Sequence, residues 1–229
     1  MTPSSEQYWS DYRHLTARLL PPLGREDGIP EADIARAEAR LGFPLPALLR
    51  EFYALAGNRD DINQSFEYLV SVEELELMGG MLVFYEENQD VTFWAIDSKD
   101  SADDPAVFRA FNEENLEWDP DSERLSEFLT AMLFLQAVNG GMAYSGIGNA
   151  VPEQVSNAAG EWDRTTLRGA WSGEVLLRDG QILFVYGTDG EAFGGGRTRD
   201  DFLAVQDTFG VSWGYSTLDD EPDEDLEND

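Results

Sequence analysis

The residues with the greatest chemical reach in this chain are its acids. Asp97, Asp100, Asp103 and Asp104 crowd one stretch, and Glu113, Glu114, Glu117, Asp119 and Asp121 crowd another. Oxygen-rich runs of this kind can hold calcium or magnesium, and a suitably spaced carboxylate pair can run acid–base hydrolysis. Neither run follows the EF-hand order with its glycine at the sixth position. With 46 acidic residues in 229, some adjacency arises from composition alone. The expectation is therefore no metal site, no catalytic residue and no cofactor, with a carboxylate- or metal-dependent hydrolase of unknown substrate as the alternative.

Other routes to catalysis are narrower still. His14 is the only histidine and there is no cysteine, so disulfides, zinc–thiolate sites and cysteine nucleophiles are excluded. On a helix, His14 falls away from the apolar stripe and faces solvent. Lys99 follows Ser98, which does not make the Gly-Lys-Ser/Thr ending of a phosphate loop. Gly194-Gly195-Gly196 and Gly146-Ile147-Gly148 lack dinucleotide-fingerprint spacing; they read as turns or close backbone packing. No serine sits in a Gly-x-Ser-x-Gly elbow.

The charge points elsewhere. Fifteen bases against 46 acids give a formal net charge of −31. Nucleic acid and anionic membrane need clustered Lys and Arg, so neither is expected as a partner. A negative field draws cationic partners over a Debye length, although surface acids can equally serve only solubility. Met1–Trp9 has no basic segment followed by an apolar one, and no apolar run approaches the roughly 18 residues of a membrane span. A cytoplasmic protein is expected.

The elements that must position these groups are mixed. Ser5–Leu20 reads as a helix with Tyr8, Trp9, Tyr12, Leu15 and Leu19 on one face, ended by Pro21-Pro22. Glu31–Leu41 and Ala47–Ala56 read as helices around the extended Phe43-Pro44-Leu45-Pro46 link. Met81–Glu86 and Val91–Ile96 read as a hairpin about Glu87-Asn88-Gln89-Asp90, with the Asn88 and Gln89 amides satisfying backbone groups in its turn. Val107–Phe111 is a weaker strand, and Leu125–Val138 a largely buried helix. Strands at Val175–Arg178 and Gln181–Tyr186 flank Asp179-Gly180, a strong hairpin signal. Asp189-Gly190 suggests another turn, Asp200–Phe209 a short helix and Val211–Tyr215 a last strand. The expected organisation is an N-terminal helix and connector over 1–28, an α+β domain over 29–216 and a disordered acidic tail over 217–229.

One ordering of motifs is more specific than any of its parts. Ala39-Arg40-Leu41-Gly42 is followed by Leu45-Pro46, Phe52-Tyr53 and Gly57-Asn58. Then come Leu82 to Gln89, Phe93-Trp94-Ala95-Ile96, Asp103-Asp104-Pro105 and Leu125 to Leu129. This order resembles the SUKH superfamily of bacterial toxin immunity proteins and their eukaryotic regulatory relatives. The resemblance implies an α+β domain with a central, mainly antiparallel sheet and helices against it. It also implies neutralisation of a toxin by direct binding, and it supplies no catalytic residues. Taken with the charge, it makes a cationic protein toxin, such as a nuclease effector, the expected partner. The expected steering surfaces are the two acidic loops: Asp97, Asp100, Asp103 and Asp104 in one, and Glu113, Glu114, Asp119 and Asp121 in the other. Tyr85 and Trp118 are the candidate aromatic anchors, each with the core as its competing place.

Overall fold

The computed structural model describes residues 4–187 and 190–220. Asp189 of the expected Asp-Gly turn, and residues 221–229 of the expected acidic tail, lie outside the described residues.

The N-terminal third is helical for reasons visible in its residues. Helix α1 (Ser5–Leu19) starts where the Ser4 hydroxyl accepts the Gln7 N–H, and its Tyr12, Thr16 and Leu19 are buried. Tyr8, Trp9 and Leu15 pack against the same core from its margin, and His14 is exposed. Helix α2 (Glu31–Leu41) stops at Gly42, whose φ of 83° is the left-handed conformation that glycine adopts without strain. Helix α3 (Ala47–Ala56) buries Leu48, Leu49, Phe52, Tyr53, Leu55 and Ala56. The short α4 (Asp60–Asn63) is tied back by Arg59. That guanidinium donates to Asp27 at 3.0 Å, to Asp61 at 2.7 and 2.8 Å, and to the Pro21 carbonyl at 3.1 Å.

A first antiparallel sheet follows. Its strands are β1 (Tyr68–Leu69), β2 (Glu76–Met78), β3 (Met81–Glu86), β4 (Thr92–Asp97), β5 (Val107–Phe111) and β6 (Asp119–Ser122). They lie in the order β1-β3-β4-β5-β6, with β2 also paired to β3. Four successive residues of β3 and four of β4 are buried, so both faces of the sheet's centre are covered. Helix α5 (Leu125–Gln136) packs there with nearly all its residues buried. Its Phe128 ring lies 5.4 to 5.9 Å from Phe84, Tyr85 and Trp94.

The single expected sheet is two. Among the described residues a second six-stranded antiparallel sheet runs in the order β12-β7-β11-β10-β9-β8. Its strands are β7 (Tyr144–Asn149), β8 (Asp163–Leu167), β9 (Gly173–Arg178), β10 (Gln181–Tyr186), β11 (Glu191–Gly196) and β12 (Ser212–Ser216). Helix α6 (Pro152–Asn157) precedes β8, and helix α7 (Arg199–Phe209) opens on a Thr198–Asp201 capping box. The triple glycine is strand, and of the two expectations for it, turn or close backbone packing, the second holds. A Cβ at Gly196 would stand 2.4 Å from the Phe202 nitrogen, and one at Gly194 the same distance from the Trp213 ring. The missing side chains let α7 and Trp213 approach the sheet, with Trp213 stacked 4.9 Å from Phe202. The other face of this sheet supplies Leu167, Val175, Leu177, Ile182 and Phe184 to the core that holds α5 and the first sheet. The first four residues of the expected tail, Thr217–Asp220, are among the described residues and are ordered by contacts to the body. Thr217–Asp220 form a 3-10 turn in which Thr217 Oγ1 accepts the Ser145 N–H, and Asp219 accepts the Ser216 N–H at 2.7 Å.

Candidate partner-binding surface

The Asp97–Asp104 loop and the start of the second acidic run, at Glu113 and Glu114, sit at opposite ends of the first sheet. Strand β4 runs from the hairpin turn to Asp97 and is six residues long, so the two are separated by about 20 Å at roughly 3.3 Å per residue. At the Asp97 end, several acids are occupied by the fold. Asp97 accepts the Lys99 N–H at 3.0 Å and Asp100 the Ala102 N–H at 2.9 Å, both closing turns. The Asp103 carbonyl accepts from Leu48 at the start of α3. Asp104 caps α5, accepting the Ser126 N–H at 2.8 Å and its hydroxyl at 2.7 Å. The Asp104 carboxylate is half-buried, while Asp100 and Asp103 are exposed.

At the other end Glu113 and Glu114 are exposed; Asp119 is exposed as well, but on β6 opposite Arg109, and β6 carries Asp121 back toward the Val107 end of β5. Asp121 has turned inward to accept the Ala170 N–H at 3.0 Å, which ties β6 to the second sheet's periphery. Trp118 is half-buried and packs against the core. Tyr85 is not a surface anchor: it is fully buried, and its hydroxyl is hydrogen-bonded by Gln136 Nε2 at 3.0 Å. It stands in a strand covered on both faces, where alternation of sides no longer implies exposure.

Among the exposed apolar residues at this end are two that the sequence did not single out. Val91 is 49% exposed and Phe111 55%. They stand at the same end of the sheet on adjacent strands, since Phe111 pairs with Thr92 in the β4–β5 ladder and the Asn112 N–H donates to the Val91 carbonyl at 2.8 Å; one register step apart, they are directed to opposite faces. Asp90, Glu113 and Glu114, all exposed, flank them. The signal available in the sequence was local: a bulky apolar residue at each strand end, directly against the acids.

Carboxylates build the turn at this end, and among the described residues the Asn88 and Gln89 side chains make no hydrogen bond in it. Glu87 accepts the N–H groups of Gln89 and Val91 at 3.2 and 3.0 Å. Asp90 takes a positive φ of 61°. The Asn88 N–H donates to Glu67 at 2.8 Å. Glu67 is 1% exposed, and its other oxygen has no hydrogen-bond partner among the described residues. Burial, reinforced by the charge of Glu87 and opposed by the Asn88 N–H, pushes its carboxyl up to about 7.

A cleft of about 590 Å³ opens elsewhere, between α1, the start of α5 and the edge strand β8. Tyr8, Asp121, Arg124, Glu127, Thr165 and Arg168 are among its lining residues. Its hydroxyls at Ser126 and Thr130 are spent on Asp104 and on the Ser126 carbonyl. Glu67 and Glu86, the two carboxyls that burial raises, lie outside it. Among the described residues no group of three or more His, Cys, Asp or Glu side chains could hold a metal ion, and no helix is long and apolar enough to cross a membrane.

Residues 28–131 match the model of the SMI1 / KNR4 family (SUKH-1). This segment is a SUKH domain. The match covers α2 to the middle of α5, including both acidic loops, Val91 and Phe111. The second sheet lies beyond it. No curated protein and no solved structure matches the chain. The SUKH family includes toxin immunity proteins and is generally immunity-related or regulatory in role, not enzymatic.

Proposed function

We propose that this protein is a cytoplasmic immunity protein, without catalytic activity of its own, that neutralises a cationic bacterial toxin by direct binding through its SUKH domain. The observation that carries this reading is the hairpin end of the first sheet, where Val91 and Phe111 are both exposed and the neighbouring Asp90, Glu113 and Glu114 are exposed acids. Interfaces derive most of their affinity from a few desolvated apolar or aromatic anchors. Charge around them acts chiefly on the rate of encounter. Val91 and Phe111 supply the anchors, while Asp90, Glu113 and Glu114 supply the field. A nuclease whose basic groove ordinarily holds phosphate has the complementary charge.

The test is binding to a candidate toxin sought among the products of neighbouring genes, followed by stopped-flow association and dissociation. Phe111→Ser should speed dissociation at least tenfold with little change in association. Glu113→Gln with Glu114→Gln should slow association at low salt and have little effect at high salt, where screening is short-ranged. A toxin that binds both variants as tightly and as fast as wild type would overturn this placement. Hydrolytic turnover by the purified protein, abolished by changing a single carboxylate, would favour the hydrolase alternative.

A further inference from the structure

The second sheet carries a partner-facing surface of a different kind. One cross-strand row reads Tyr215 on β12, Ile147 on β7, Phe193 on β11 and Phe184 on β10, each paired with the next. Directly paired residues project from the same face. Exposure rises outward along the row: Phe184 is wholly buried, Phe193 is half-buried, Ile147 is 37% exposed and Tyr215 is 50% exposed. Inward, the row is continuous with the core through Phe184, which stacks at 5.9 Å on Phe193. The sheet therefore extends its apolar face past the part that α5 and the first sheet cover.

The rim of that overhang is acidic. Tyr215 donates from its hydroxyl to Asp220 at 2.5 Å, and Asp219 sits one residue earlier in the same turn. Glu191 is exposed on β11, two residues from Phe193 and so on the same face. Exposed aromatics beside carboxylates fit the guanidinium group: its flat face stacks on the ring while its N–H groups meet the acids.

The free edge of β12 is less suited to recognition than this face. Its register shifts between Trp213 and Tyr215, and the Ser216 N–H is already taken by Asp219. A bulge and an occupied donor both oppose addition of another strand. A second copy of this chain is disfavoured as occupant because each copy carries a formal charge of −31.

We infer that the Ile147–Tyr215 face, outside the SUKH match, is a second docking surface for an arginine-bearing segment of a protein partner. Its biological use rests on the protein-binding reading above, but its test does not require the toxin.

Full-length protein is titrated with a tetra-arginine peptide, and separately with tetra-lysine, near physiological salt, with amide chemical shifts mapped residue by residue. Shifts should concentrate on β7, β12 and the Thr217–Asp220 turn, and tetra-arginine should bind at least threefold tighter than tetra-lysine. Ile147→Ser with Tyr215→Ser should weaken tetra-arginine at least fivefold, and Asp220→Asn should weaken it less. Phe111→Ser should leave it unchanged. Both serine positions are exposed, and a thermal melt checks that the double variant stays folded. Shifts spread over all acidic surfaces, equal binding of the two peptides, or undiminished binding by the double variant would each overturn the inference. So would a wild-type dimer in sedimentation that the double variant abolishes, since that assigns the face to self-association. Loss of toxin binding in Phe111→Ser with peptide binding intact separates this surface from the one on the SUKH domain.

Discussion

Replacing Glu67 by Gln should make the protein more stable at neutral pH and no more stable in acid. Burial raises this carboxyl from 4.5 to about 7 in the folded chain. The folded state therefore binds the proton more tightly than the unfolded state, and stability falls as pH rises through that window. Below about pH 4.5 the group is protonated in both states and costs nothing. Above about pH 7 it is ionised in both, and the folded state bears the full penalty. At 1.36 kcal/mol per pH unit the displacement amounts to roughly 3 kcal/mol. Gln keeps an oxygen for the Asn88 N–H and removes the charge, but its amide N–H groups meet no identified acceptor, which costs on the order of 1 kcal/mol. Urea denaturation followed by tryptophan fluorescence, on both proteins across this range, isolates the effect. Subtracting the two curves cancels the general relief of charge repulsion on acidification. The amide cost shifts the whole difference curve without changing its span, so the difference should move by roughly 3 kcal/mol in favour of Gln between acid and neutral pH. A difference independent of pH would mean that water reaches Glu67, and that its buried setting does not govern its proton affinity.

Phe52→Ala and Trp94→Ala should each cost about 3–5 kcal/mol in chemical denaturation, because both rings are buried in the shared core. Arg59→Met leaves Asp27 and Asp61 without their common partner and should cost about 3 kcal/mol or more; a loss under 1 kcal/mol would show that the two acids are solvated. Gly196→Ala should lower the melting temperature by several degrees, since a Cβ there collides with the backbone at Phe202. A chain ending at Asp220 should melt like wild type, whereas one ending at Ser216 loses the Thr217 and Asp219 contacts and should melt lower.

The elements that were legible in the sequence are those whose residues decide their own conformation. Helices α2 and α3 lie between prolines and glycines that fix their ends, and β3 and β10 are rich in branched and aromatic residues. Strands β7 and β11 were harder to read because glycine is a poor strand former; they persist because Phe202 and Trp213 need the vacated space. Strand β6 reads as Asp-Pro-Asp-Ser, which is tolerable only at a sheet edge, and whether a segment lies at an edge is a property of the assembled sheet. The site was legible as chemistry and not as place. The acids were evident, but whether an acid caps a helix, as Asp104 does, or stands free, as Glu113 does, depends on residues distant in the chain. Tyr85 takes the core place that competed with its role as anchor, and Phe111, given no surface role, is exposed, for the same reason: long-range packing covers one and leaves the other at a strand end.

The SUKH match ends at residue 131, seven residues into the twelve of α5. A cut there would fall within a single rigid rod, leaving Phe134 and Leu135 on one fragment and Phe128 and Leu129 on the other. Neither fragment could bury its share of the interior, so both would aggregate when expressed alone. Grafting this SUKH segment onto another scaffold would therefore require carrying the second sheet with it. The limit of a recognisable family is here a limit of resemblance, and the unit that folds is larger.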